Sequence, residues 1–154
     1  MPATVAIEPP LVFIDSGAFI GLHVPDDAHH ARAVACRDRV IRYSRLFTSA
    51  LVISETLAHI QRDNLLDQQS LADVTGDFLR PEEWISILPV EGVLTKSLQM
   101  VNERNDRRFS LVDATNVLLM EAHHIDIIFS FDAFYDGVSV ERGHNTRFIQ
   151  RISD

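Results

Sequence analysis

The sequence predicts an α/β protein built on a short parallel sheet with helices on both faces. Two apolar runs, Leu11 to Ile14 and Ile125 to Phe129, the second interrupted by Asp126, are typical of strands buried on both sides. Segments with helical periodicity separate the apolar runs, and this alternation indicates βαβ crossovers. No Pro-, Gly- or Ser-rich linker divides the 154 residues. We therefore expect a tail over residues 1–10 and one domain over residues 11–154.

The helix boundaries are predicted from capping residues and from one proline. Side chains that can accept hydrogen bonds from the first N–H groups of a helix occur at Asp26-Asp27, Thr48-Ser49 and Ser110. Pro81 ends the helix that precedes it. We expect a short helix ending near Leu22, followed by helices at about 28–43, 50–62, 65–79, 92–105 and 111–123. The remaining strands are expected at 46–47 and 84–88, with a short edge strand at 138–140.

The composition restricts the classes of function. The chain has 14 basic and 22 acidic residues, a net charge of −8, whereas proteins that bind nucleic acid mainly by neutralising phosphates are basic. A nucleic-acid partner is therefore plausible only if acids are concentrated where metal ions neutralise them. The single cysteine, Cys36, excludes an internal disulfide and a cysteine zinc cluster. Without a signal-peptide pattern or a long apolar run, the expected compartment is the cytoplasm, with no membrane association.

Two predicted strands end in a carboxylate. Asp15 follows the first apolar run, and Ser130-Phe131-Asp132 follows the last. Ligands of open α/β sheets bind outside the carboxyl ends of the strands, so both acids are at the expected position of a site. The alternative is that each aspartate only forms a turn or caps a helix.

Two further acids belong to predicted helices. Glu55 lies inside the helix that begins near Ala50, where a glutamate is commonly only solvated. Asp113 begins an apolar stripe and also completes a capping box with Ser110, which suits the helix dipole. Capping and metal binding are compatible roles for an acid in the first turn of a helix. Asn116, one turn after Asp113, can support the same site.

The ordered set of these segments resembles the PIN-domain ribonucleases, especially the VapC-like toxins of type II toxin–antitoxin pairs. The matching segments are Val12-Phe13-Ile14-Asp15-Ser16, Thr48-Ser49-Ala50-Leu51-Val52-Ile53-Ser54-Glu55, Ser110-Leu111-Val112-Asp113-Ala114 and Phe129-Ser130-Phe131-Asp132. The resemblance implies a PIN-like three-layer sandwich with a five-stranded parallel sheet. It also implies an acidic pocket for Mg²⁺ or Mn²⁺, in which the catalytic, metal-binding acids are Asp15, Glu55, Asp113 and Asp132.

The resemblance assigns supporting roles and leaves one ligand open. Ser16 and Ser130 match small hydroxyl positions that support the pocket in the family. The family often has Asp-x-Asp-Phe-Asp after the fourth strand, whereas this chain has Asp132-Ala133-Phe134-Tyr135-Asp136. Asp132 is therefore the first choice for the fourth ligand, and Asp136 is the second.

The chemistry expected of such a site agrees with the residue types. Hard divalent cations prefer oxygen ligands, and metal-assisted phosphodiester cleavage needs no histidine or lysine base. Three arginines, Arg104, Arg107 and Arg108, precede the Asp113 helix and can hold phosphate; the alternative is a solvated face paired with Asp106. The histidine pair His29-His30 is interpreted as surface residues. Aromatic residues such as Phe131 and Trp84 are interpreted as core.

The sequence thus predicts a metal-dependent endoribonuclease that acts as a toxin on RNA and is bound by a cognate antitoxin. A homodimer is expected from the resemblance alone. The alternative is a PIN-fold RNA-processing nuclease or partner-binding protein outside a toxin–antitoxin system. A receiver-like phosphoacceptor is disfavoured because Asp15 is followed by Ser16-Gly17 and no late lysine exists. A haloacid-type phosphatase is disfavoured because the second acid of its Asp-x-Asp motif is missing.

Overall fold

The computed structural model describes residues 7–154, and its centre is a five-stranded sheet in which all the strands are parallel. The first six residues of the predicted tail lie outside the described residues. Its strands are β1 (Leu11–Ile14), β2 (Arg45–Ser49), β3 (Ser86–Leu88), β4 (Ile127–Phe129) and β7 (Gln150–Ile152). In spatial order the sheet is β3-β2-β1-β4-β7.

Six α-helices flank this sheet, as the predicted three-layer α/β sandwich requires. They are α1 (Ser16–His23), α2 (His30–Arg39), α3 (Ala50–Arg62), α4 (Gln68–Leu79), α5 (Glu91–Arg104) and α6 (Leu111–Ala122). Val12, Phe13 and Ile14 of the central strand are at most 1% exposed, which is the two-sided burial that their apolar run predicts. The fold class expected from the sequence is confirmed.

The register of the sheet brings the strand ends together. Phe13 is opposite Phe47 of β2 and Ile128 of β4. One residue past the end of β1, the backbone N–H of Asp15 donates to the carbonyl of Phe129 at 3.1 Å. The residues that follow β1 and β4 therefore lie side by side at one edge of the sheet, as parallel pairing dictates.

The C-terminal segment differs from the prediction. The short edge strand expected at 138–140 is present as β5 (Ser139–Arg142), but it pairs antiparallel with β6 (Asn145–Phe148) in a separate hairpin and does not belong to the main sheet. The hairpin has a two-residue loop at Gly143-His144, and the positive φ of 63° at Gly143 is the left-handed geometry that such loops require. The edge of the main sheet is instead β7, which pairs with β4.

Two helix boundaries and one strand boundary also differ. The helix expected at 28–43 ends at Arg39, because Val40 leaves the helical region, and a 3-10 turn covers Ile41–Tyr43. The helix expected from residue 65 begins at Gln68, where the side chain of Asp67 caps it. Trp84 precedes β3 and is 36% exposed, so it is not a core strand residue. Within residues 7–154 no helix combines the length and the apolar character needed to cross a membrane.

Candidate active site

The four acids expected from the sequence all line one open cleft of about 710 Å³ at the carboxyl edge of the sheet: Asp15, Glu55, Asp113 and Asp132. Asp15 is the N-terminal capping residue of α1, but its side chain makes no capping hydrogen bond. Its backbone carbonyl accepts from the N–H groups of Ala18 and Phe19 instead. The carboxylate is therefore free to face the cleft.

Asp15 is the most deeply buried of these acids, at 5% exposure. Its Oδ2 accepts a hydrogen bond of 2.7 Å from the Ser130 hydroxyl, and its Oδ1 accepts one of 3.2 Å from the Asn116 amide. Burial raises the pKa of Asp15 to about 6. The hydrogen bond from Ser130 opposes this rise, whereas the negative charges of Glu55 and Asp113 add to it. The site thus holds a carboxylate in surroundings that disfavour its charge.

Glu55 reaches the cleft from the helix α3. Ser49 caps this helix by accepting from the Val52 N–H, which fixes the first turn. The hydroxyl of Ser16, the first residue of α1, donates to Oε2 of Glu55. Ser16, for which a supporting role is expected, therefore orients Glu55.

Asp113 has the structural role that its sequence position suggests, and it also lines the cleft. Its Oδ2 accepts from the N–H and from the hydroxyl of Ser110, at 2.8 and 2.9 Å, and its own N–H donates to the Ser110 hydroxyl. This is the predicted capping box. Its Oδ1 accepts a hydrogen bond of 3.3 Å from the hydroxyl of Tyr135.

Tyr135 is a site residue that the sequence analysis did not identify. It is fully buried, and its hydroxyl accepts from the Asn116 amide at 3.0 Å while donating to Asp113. Burial raises the pKa of Tyr135 well above its ordinary value, and the charges of Asp15 and Asp113 raise it further. The tyrosine therefore remains a neutral donor. Its position directly after Phe134, near the acidic Asp132 segment, was the only signal in the sequence.

The structure separates the two candidates for the fourth acid. Asp132 lines the cleft, and its Oδ1 accepts from the Phe134 N–H, which begins a 3-10 turn. Asp136 lies outside the cleft lining and is held by two hydrogen bonds of 2.8 Å from Arg151. These bonds lower the pKa of Asp136. The positions of the two side chains therefore favour Asp132 as the fourth ligand, and this choice stays a prediction.

The three arginines expected near the site are not equivalent. Arg108 lines the cleft with a side chain that is 92% exposed. Arg104 instead packs its guanidinium 4.5 Å from the ring centroid of Phe109, and neither Arg104 nor the exposed Arg107 belongs to the lining. The lining also includes His59 and Arg62, which follow Glu55 on α3. Their spacing of four and seven residues from Glu55 was the available signal, because it defines one face of a helix.

The donor atoms suit a hard divalent cation. Four carboxylates line the cleft, and Mg²⁺ or Mn²⁺ prefers such oxygen ligands. Across residues 7–154, no group of three or more acidic, histidine or cysteine side chains is already gathered closely enough to enclose an ion. Mg²⁺ keeps several waters and binds proteins through one or two carboxylates, so a gathered shell is not required. The residues therefore fit the expected ion in chemical type.

Comparison with known proteins supports the fold and gives the family. Residues 12–139 match the PIN domain, and the chain belongs to the PIN-domain family. The fold is similar to that of VapC20 of Mycobacterium tuberculosis, described as a sarcin-ricin loop cleaving toxin, with a TM-score of 0.67 and 19% identity over 79% of this chain and 90% of that one. It is also similar to FitAcB of Neisseria gonorrhoeae, with a TM-score of 0.53 and 14% identity over 79% of this chain and 88% of that one. No curated protein matches the sequence.

Proposed function

We propose that the protein is a metal-dependent endoribonuclease and that it acts as the toxin of a toxin–antitoxin pair. The observation that carries the proposal is the convergence of four acids on one cleft around the buried carboxylate of Asp15. Membership of the PIN-domain family and the likeness in fold to VapC20, described as a sarcin-ricin loop cleaving toxin, support it.

The proposed ligands of Mg²⁺ or Mn²⁺ are Asp15, Glu55, Asp113 and Asp132. When bound there, the ion would activate a water and stabilise the departing 3′-oxygen of the phosphodiester. The chain's own residues orient the acids: Ser130 and Asn116 hold Asp15, and Ser16 holds Glu55. Such neighbouring hydrogen bonds tune metal sites, and their loss commonly costs about 10- to 100-fold in metal affinity or activity.

Arg108 is the proposed phosphate contact among the three predicted arginines. It is the member of that set that lines the cleft. Its Nε lies 3.7 Å from Oδ1 of Asp106, which is the pairing given above as the alternative, but its side chain is 92% exposed and can also donate hydrogen bonds to a phosphate. Arg62, on α3, is paired with Asp63 at 2.9 Å, so its charge is partly neutralised. We therefore expect a weak contribution from phosphate contacts, in agreement with the net charge of −8.

The toxin assignment predicts a partner. A small antitoxin would bind over or beside the cleft and can insert an arginine among the acids in place of the metal. We expect the toxin to act in the cytoplasm as a homodimer. Growth arrest on expression, relieved by co-expression of the neighbouring gene, is the test. Harmless expression of an active nuclease would instead favour RNA processing outside a toxin–antitoxin system, and a protein without nuclease activity would favour a partner-binding role.

A further inference from the structure

Two stacked aromatic side chains form part of the wall of the acid cleft. The imidazole of His29 lies flat on the ring of Phe131, with ring centroids 4.3 Å apart and 5° between the planes. Both side chains line the cleft together with the acids, and Phe131 directly precedes Asp132 in the chain. His29 is therefore not simply a surface histidine, and Phe131 is not simply a core residue, as their sequence context suggested.

The phenyl ring of Phe131 is held in place by neighbouring side chains. Phe131 packs edge-on against Phe129 of β4, with centroids 5.8 Å apart and 63° between the planes. The guanidinium of Arg32 lies 5.4 Å from the centroid of Phe131 and donates to the Ser153 hydroxyl at 3.1 Å. Phe131 thus has little freedom to turn when a ligand approaches.

The backbone of His29, which carries the other ring of the stack, is held by a hydrogen bond. The N–H of His29 donates to Oδ1 of Asp27 at 2.8 Å, in the turn before α2. Gly21 of α1 lets this turn approach closely: a Cβ there would meet the Cβ of Ala33 at 3.1 Å and the ring of Phe131 at 3.3 Å. α1 and α2 therefore approach closely at Gly21, and a larger residue there would require Ala33 or Phe131 to shift by a few tenths of an ångström.

We propose that His29, supported by Phe131, is a platform on which an unpaired RNA base stacks when the neighbouring phosphodiester lies in the acid-lined cleft. This inference rests on the proposed ribonuclease function and adds a specificity residue to it. A chain with a net charge of −8 gains little affinity from phosphates, whereas base–aromatic stacking does not depend on charge. Bases inside a duplex are already stacked on their neighbours, so the platform selects single-stranded or looped RNA.

The test uses a short single-stranded RNA in which 2-aminopurine replaces one adenine, because stacking quenches the fluorescence of this base. Binding is measured in Ca²⁺, which also binds carboxylate oxygens. His29→Ala should abolish most of the quenching and weaken binding by roughly 5- to 150-fold, the range for losing one base–aromatic stack. His29→Phe, which keeps a flat ring, should retain both. His144→Ala is the matched control, since His144 is exposed in the hairpin loop, away from the cleft.

A second comparison separates stacking from a structural effect. An RNA with an abasic residue at the probed position should bind wild type and His29→Ala with equal affinity, because this RNA has no base at that position to stack on His29. Quenching that persists in His29→Ala, or an equal loss of affinity for normal and abasic RNA, would overturn the platform. If wild type quenches 2-aminopurine in Ca²⁺ but cleaves no RNA in Mn²⁺, the nuclease function is overturned and the platform is not. If wild type cleaves RNA in Mn²⁺ but does not quench 2-aminopurine, the platform is overturned and the nuclease function is not.

Discussion

The side-chain amide of Asn116 donates a hydrogen bond of 3.2 Å to the carboxylate of Asp15, although the two residues are 101 positions apart in the chain. The same amide donates to the hydroxyl of Tyr135, which in turn donates to Asp113. One buried asparagine therefore links Asp15, after β1, to Asp113 in the first turn of α6. If these acids hold the metal, this series of hydrogen bonds sets the geometry of the ligands.

Asn116→Ala is expected to reduce RNA cleavage by about 10- to 100-fold without abolishing it, because the acids remain but Asp15 loses one of its two orienting donors. Steady-state cleavage rates at saturating Mn²⁺ measure the effect. Thr115→Ala is the matched control: Thr115 is the buried neighbour on α6, and among the described residues its hydroxyl has no hydrogen-bond partner. Equal rates in the two variants would show that Asn116 does not position Asp15.

Asp15→Asn is expected to stabilise the metal-free protein above about pH 6. The folded-state pKa of Asp15 is raised from 3.8 to about 6, so the stability associated with its protonated form is complete below the lower value and is lost as the pH rises through the upper one. The amide has no charge to bury, and it can donate to Ser130 while accepting from Asn116. We expect a gain in unfolding free energy of about 1–3 kcal/mol at pH 8.

Denaturant unfolding in EDTA, followed from about pH 4 to pH 8, checks this gain. The advantage of Asp15→Asn should shrink as the pH falls toward 4, because wild-type Asp15 is then protonated as well. A stability difference that is independent of pH would contradict the assigned cause.

Asp113→Asn should behave differently from Asp15→Asn, because both oxygens of the Asp113 carboxylate accept hydrogen bonds, one of them from a backbone N–H at the start of α6. The carboxylate accepts two hydrogen bonds from Ser110 at Oδ2 and one from Tyr135 at Oδ1, whereas an amide has only one accepting oxygen and lacks the negative charge that is favourable at a helix N-terminus. We expect the variant to lose about 0.5–2 kcal/mol in EDTA. Mutual repulsion alone would have predicted a gain at every acid.

The response to metal decides whether Asp113 is more than a cap. Mn²⁺ should raise the Tm of wild type, because the ion binds only the folded site, and should raise that of Asp113→Asn by less. An equal rise in both proteins would make Asp113 a helix cap and remove it from the proposed ligands.

The two acids after β4 give a further paired prediction. Asp132→Asn should lower cleavage by at least about 10-fold, whereas Asp136→Asn should leave the cleavage rate unchanged, since its carboxylate pairs with Arg151 outside the cleft. The two variants carry the same substitution, aspartate to asparagine, at positions four residues apart in the chain. Loss of activity in Asp136→Asn alone would reverse the assignment of the fourth ligand.

The sequence was most informative where a backbone rule fixes the outcome. Asp15 and Asp132 follow apolar runs, and parallel pairing must bring the ends of such strands to one edge. The capping box of Ser110 and Asp113 is local, so spacing alone predicted it. Glu55 was placed only by its membership of the ordered set of segments.

The remaining features depend on contacts between distant segments. Nothing near Tyr135 in the chain indicates that its hydroxyl meets Asp113, because that contact requires the 3-10 turn after Asp132 to pack on α6. β7, the fifth strand of the main sheet, is three residues long and largely polar, so only its pairing with β4 defines it. The stack of His29 on Phe131 likewise follows from the close approach that Gly21 allows.

The most direct test of the central claim is a cleavage assay in which wild type and Asp15→Asn are incubated with total RNA in Mn²⁺ and in excess EDTA, and the new RNA ends are identified. We expect fragments with 5′-phosphate and 3′-hydroxyl ends for wild type in Mn²⁺, and loss of cleavage by orders of magnitude in EDTA or with Asp15→Asn. His124→Ala, at a histidine outside the cleft lining, should cut like wild type. Equal cutting in EDTA, or near-normal turnover by Asp15→Asn, would contradict the proposed site.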